Sequence, residues 1–170
     1  MQKTAFLFLF LFTAVVAFSQ RYAIIDTKYI LDKLPDYKSA NGKIEEFAEA
    51  WQQEIDLMQA DLDKMYRELD GERAMLTPEL LKKREDQIYN KEKQVRDLQR
   101  KRFGYEGDYF KKKQELVKPI QEKVYNAVQK LAGEKMYDFI LDKSEGITII
   151  FADPKLDKSD DVLKILGIKL

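Results

Sequence analysis

Between Asn41 and Leu131 apolar residues recur three and four apart, broken by one short turn. In the first half they are Ile44, Phe47, Trp51, Ile55, Met58, Leu62, Met65, Leu69 and Leu76, a spacing that keeps a narrow stripe on one helix face. Two successive steps of four, Phe47 to Trp51 to Ile55, form a stutter that locally unwinds a left-handed supercoil. The second half carries Leu81, Ile88 and Val95 seven apart. After a one-residue shift Phe103, Phe110, Val117, Val124 and Leu131 follow at the same interval, with Leu98, Ile120 and Ala127 in companion positions. This is the seam of a coiled coil. Between the halves lies Gly71–Pro78, where Thr77 suits an N-cap and Pro78 the first helical position. The pattern predicts two long helices folded back antiparallel, the first about 50 Å long.

The flanks predict a small body. Tyr22–Asp26 reads as a strand apolar on both faces. Thr27 is expected to cap a short helix, Lys28–Leu34, that Pro35 stops, and the long arm is expected to start near Ser39 or Asn41. Tyr137–Asp142 reads as a second strand, Lys143–Gly146 as a turn and Ile147–Phe151 as a third strand. Ser159 or Asp160 is expected to cap a last short helix holding Val162 and Leu163. Because the hairpin returns the chain, the strands at its two ends are expected to meet. Three short strands bury little, so their apolar faces and open edges favour joining other copies. Tyr22, Ile24, Ile25, Phe139, Leu141, Ile147, Ile149 and Phe151 are the candidate residues of the body core and oligomer contacts. The fold class is α+β, mainly α: a long antiparallel helical hairpin projecting from a small oligomeric β-body. Its parts are 20–40 and 119–170 for the body and 41–118 for the arm.

Gly104 and Gly107 lie inside the second arm, where each weakens a helix by about 1 kcal/mol. Folding back places them opposite Phe47 and Trp51, among Phe103, Tyr105, Tyr109 and Phe110. They mark either a hinge or a close approach of backbone to large rings. Pro119 is expected to kink the helix further on, and completes the candidate hinge set.

Charge sharpens the pairing. From Lys43 to Leu76 there are ten Asp/Glu against four Lys/Arg, and from Thr77 to Lys118 thirteen Lys/Arg against eight Asp/Glu. Acidic and basic arms suit each other, although each exposed ion pair contributes little. The 170-residue chain is 35% charged with a formal net charge of zero, which disfavours nucleic acid as a partner. It has neither Cys nor His, so there is no disulfide, no thiolate metal site and no imidazole base. No cofactor or metal site is read. Asp26, Asp142 and Asp153, at strand ends, are the best residues for a carboxylate-based hydrolase. Turns and caps also want Asp there, and the chain is read as no enzyme.

The first residues change the compartment. A short positive start, an almost wholly apolar stretch Ala5–Phe18, and small residues at Ala17 and Ser19 form the three-part pattern of an export signal, residues 1–19, cut after Ser19. The apolar run is short for a membrane span. Its removal leaves 29 basic and 30 acidic residues.

Tyr22-Ala23-Ile24-Ile25-Asp26 with Ile30-Leu31, then Tyr137–Ser144, Ile147–Ala152 and Ser159-Asp160-Asp161-Val162-Leu163, stand in the order of the opening and closing elements of one family. Together with the leader and the hairpin they make the mature chain resemble the Skp (OmpH-type) periplasmic chaperones. The resemblance implies a homotrimer with a shared β-body and three helical tentacles around a cavity. It implies that unfolded outer-membrane β-barrel proteins are held there without ATP and kept from aggregating. Well-studied members are strongly basic whereas this chain is near neutral, so contact with anionic membrane or lipopolysaccharide is weakly supported. Met58, Met65, Tyr66, Met75, Leu76, Leu80 and Tyr89, with Lys82, Lys83 and Arg84, are the candidate client-binding residues, and the coiled-coil seam is the competing use of the apolar ones. The rival function is a structural coiled-coil adaptor of the cell envelope.

Overall fold

The computed structural model describes residues 20–169 apart from 145, 147 and 148. The elements run β1 (Tyr22–Ile25), α1 (Thr27–Lys33), α2 (Pro35–Glu72), α3 (Pro78–Phe103), α4 (Asp108–Lys135), β2 (Phe139–Asp142) and α5 (Ser159–Ile165). Short 3-10 turns lie at Arg73–Met75 and Pro154–Leu156. The chain is mainly α and divides into two compact units. One joins the residues up to Lys33 with Val124–Leu170, and the other is Leu34–Lys123.

In the second unit, α2 is 38 residues long, about 57 Å. It begins earlier than its apolar stripe suggested. The short helix α1 ends at Lys33, just ahead of Pro35 and the extended Leu34, as expected, but Pro35 also occupies the first turn of α2, where its missing N–H has no partner to lose. Leu62, Leu69, Ile88 and Val95 form the buried seam between α2 and α3, with Met58, Met65, Leu76 and Leu81 packed against it. At the turn, Thr77 accepts from Leu80 N and Pro78 opens α3, as the sequence predicted. The predicted single second arm is two helices. α3 ends at Phe103, and α4 starts at Asp108. Pro119 lies inside α4.

In the first unit, β1 pairs in parallel with β2, Tyr22 opposite Phe139 and Ile25 opposite Asp142. The two chain ends therefore meet, as expected from the hairpin. On the other side of β1, Ile24 bridges Asp157, and Lys158 N donates to Ile24 O at 2.8 Å. Flanked on both sides, Ala23, Ile24 and Ile25 are buried. Ile30, Leu131, Val162 and Leu163 are the largest fully buried side chains. Asp26 rather than Thr27 caps α1, accepting from Tyr29 N at 2.8 Å. Asp157 rather than Ser159 or Asp160 receives the first amide of α5, from Ser159 at 2.9 Å.

The predicted hairpin of residues 137–151 is not formed by the described residues. β2 is shorter than Tyr137–Asp142 and pairs with β1. Ile149, Ile150 and Phe151 are not in a strand, and Ile147 and Thr148 lie outside the described residues. The pairing that β2 does make is the parallel one with β1.

Candidate functional site

The Leu34–Lys123 unit offers a charged surface studded with apolar groups. Four cross-arm pairs step in opposite directions along the two arms, as antiparallel packing requires, Asp36–Lys123, Glu54–Arg102, Asp61–Lys91 and Glu72–Arg84, and Arg73 in the turn adds a fifth with Glu85. In four of the five the acid lies on α2, which matches the charge difference between the arms. Tyr66 donates to Glu92 across the seam; that hydrogen bond raises the phenol above its usual pKa.

The candidate client residues separate by position. Met58, Met65 and Leu76 are partly buried against the seam. Tyr66, Met75, Leu80 and Tyr89 are exposed, Met75 at 79%. Lys82 and Lys83 are exposed, and Arg84 reaches Glu72 at 3.8 Å. Leu57, off the apolar stripe, is also exposed, at 71%. Met65 and Arg84 line a small pocket with Glu68, Leu69 and Ile88, whereas Tyr66, Met75, Leu80 and Tyr89 lie on the surface.

Around the helix break, Phe47 stacks on Trp51 at 5.7 Å, Phe103 meets Trp51 edge-on at 6.3 Å, and Tyr109 lies 6.1 Å from Phe103. Tyr105, expected among them, is 95% exposed because it sits in the break itself. At both glycines the close approach is to the chain's own preceding backbone and not to the large rings. A Cβ on Gly104 would stand 2.3 Å from Arg100 O, and one on Gly107 2.8 Å from Lys101 O. The sequence signal that was missed is Arg102. It reaches Glu54, 48 positions away, so only the pairing of the arms reveals the contact.

In the other unit, the β-body candidates also divide. Ile24 and Ile25 are buried and Leu141 half-buried. Tyr22 and Phe139 are exposed and stack on each other at 5.7 Å. Ile149 is half-buried, whereas Ile150 and Phe151 are 97% and 86% exposed. Ile147 lies outside the described residues.

The three carboxylates considered for chemistry have structural partners. Asp26 caps α1, Asp153 accepts from Lys155 N at 2.9 Å, and Asp142 accepts from Thr27 Oγ1 at 2.5 Å and Ser144 N at 3.0 Å. An open cleft of about 320 Å³ includes Asp26, Tyr29, Lys143 and Asp157. Within it Lys143 and Asp157 neutralise each other at 2.7 Å. Among the described residues no cluster of acids could hold a metal ion, and no helix is long and apolar enough to cross a membrane.

Burial pushes Asp142 upward, but hydrogen bonds from Thr27 and Ser144 outweigh it and leave the carboxyl below its usual range. Asp157 is likewise raised by burial and brought lower by Lys143 and Ser159. A carboxylate depressed in the folded state stabilises above its unfolded pKa, about 3.9, and that stability disappears as pH falls through the lower folded value. The body is therefore expected to weaken below about pH 4. Asp142→Asn should be less stable than the parent near neutrality yet lose less between about pH 5 and pH 2. Equal acid slopes in urea unfolding would remove Asp142 from this role.

The fold defines a class: a helical-hairpin protein with a small mixed body. The model of the family described as Outer membrane protein (OmpH-like) matches residues 21–166, and the chain belongs to that family. It is similar in fold to the crystal structure of an OmpH-like protein from Caulobacter crescentus CB15, described as an outer membrane chaperone, with a TM-score of 0.69 and 14% identity. That match covers 87% of this chain and 84% of the other. No curated protein sequence matches this chain.

Proposed function

We propose that this protein is an ATP-independent holdase of the periplasm, exported by a cleavable leader over residues 1–19. As a homotrimer it would bind unfolded outer-membrane β-barrel proteins in a cavity between its helical arms and prevent their aggregation. The observation that carries the reading is the exposed, scattered set Tyr66, Met75, Leu80 and Tyr89 on a hairpin whose own seam is already filled. A barrel in transit shows alternating apolar residues, and many weak contacts with adaptable side chains suit such varied partners. Family membership supports the same reading. The three-chain state is supported by Ile150 and Phe151, whose exposure in a single chain leaves apolar surface for another copy.

The test is light scattering of the mature protein, alone and with a urea-unfolded outer-membrane barrel. A particle of three chains that takes up one soluble client is expected. A monomer or dimer that leaves several unrelated barrels to precipitate would instead indicate a coiled-coil adaptor with one folded partner.

A further inference from the structure

We propose that Arg102 is a clasp that holds the joint between α3 and α4 closed and thereby limits bending of the arm. The joint is the one interruption in the second arm: α3 stops at Phe103 and α4 resumes at Asp108, while α2 runs unbroken past it. Its backbone is held by single local bonds, Gly104 N to Arg100 O at 2.8 Å, Gly107 N to Gly104 O at 2.9 Å and Lys111 N to Gly107 O at 3.1 Å. Glu106 takes a left-handed φ of 52°, so the two helices cannot simply run on into one.

One side chain spans all three helices at this point. From the last turn of α3, Arg102 donates through Nη1 to Asp108 Oδ2 at 2.6 Å and through Nη2 to Glu54 Oε2 at 2.9 Å. Its guanidinium carbon lies 5.2 Å from the centre of the Trp51 ring. Its Nε is buried without a partner, so the planar fork is spent on the two carboxylates. Only a guanidinium offers two separated donors and a flat face for the ring at once; an ammonium would hold one carboxylate well. Trp51 is also the middle residue of the stutter on α2. The clasp therefore fastens the break in one arm to the place where the apolar register of the other shifts. With the Arg102 side chain 20% exposed, salt reaches the pair only partly, and arm stiffness becomes a graded function of ionic strength.

This inference goes beyond the holding role and concerns the arm whatever it holds. The chain lacks cysteine, so labels can be placed without background. Asp70→Cys with Gln114→Cys spans the joint, whereas Asp70→Cys with Gln94→Cys stays on its distal side; all three positions are exposed. Spin-label distance distributions are expected to widen about twofold for the spanning pair in R102Q and to stay unchanged for the one-sided pair. R102K and Asp108→Asn should fall between parent and R102Q. Amide exchange at Gly104, Gly107 and Lys111 should quicken about tenfold in R102Q. Raising salt to about 1 M should widen the spanning pair in the parent and leave R102Q as it was. An unchanged spanning pair in R102Q overturns the clasp. So does widening of both pairs, which would mean that Arg102 is needed for the arm to fold at all.

Discussion

In the proposed homotrimer, changing Ile150 and Phe151 together to aspartate is expected to lower the solution mass from three chains to one while leaving the helix content unchanged. Both side chains are almost fully exposed in the single chain, so the monomer loses no packing by the change. Burying such a side chain between copies contributes about 1.5–3 kcal/mol each, and every chain would supply two. An aspartate in the same dry contact costs more than the apolar group gave. Sedimentation or light scattering across protein concentrations reads the result. A double variant that still runs as three chains would place the assembly surface elsewhere, and the exposed Tyr22–Phe139 stack would be next to test.

Leu163→Ala is expected to cost about 2–5 kcal/mol of stability. Leu163 is fully buried, as are Ile30 and Val162, in a unit whose β1–β2 sheet is four residues long. A body with so few deeply buried side chains has little reserve, and domains stand only about 5–15 kcal/mol above unfolding. Urea unfolding followed by tyrosine fluorescence should show an earlier transition for the variant. A loss below about 1 kcal/mol would mean that the site collapses around the smaller side chain.

The arm was legible because periodicity reports what a helix buries. Leu62, Leu69, Ile88 and Val95 were read from spacing alone, and they are the seam. Thr77 and Pro78 were legible because capping is local chemistry. Pro35 both bounds α1 and opens α2, and only the first role is legible because the apolar stripe of α2 begins later, at Ile44. The glycine break was visible as a weakness, but not as two helix ends, because the clash at Gly104 is with its own preceding turn. Arg102 was hidden for a different reason. Its partners are set by how the arms register, which no window along the chain contains. Composition suggests a strand after the turn, yet Ile149, Ile150 and Phe151 are not in one, and composition cannot say that β2 takes its partner from the start of the chain.

The pairing of β1 with β2 sets an order of events for folding. These strands join residues 117 positions apart, as in the contact of Arg21 with Asp138. Closing so long a flexible loop costs about 4 kcal/mol in chain entropy beyond a constant. The Leu34–Lys123 hairpin removes most of that obstacle. Its contacts begin at a tight turn, where Thr77 caps, and proceed outward to Lys123, 3.0 Å from Asp36. Zippered from the tip in this way, the chain faces only short closures at each step. The long arm is thus also the device by which β1 finds a partner near the end of the chain. Until that partner arrives, Ala23, Ile24 and Ile25 remain open to any other strand nearby.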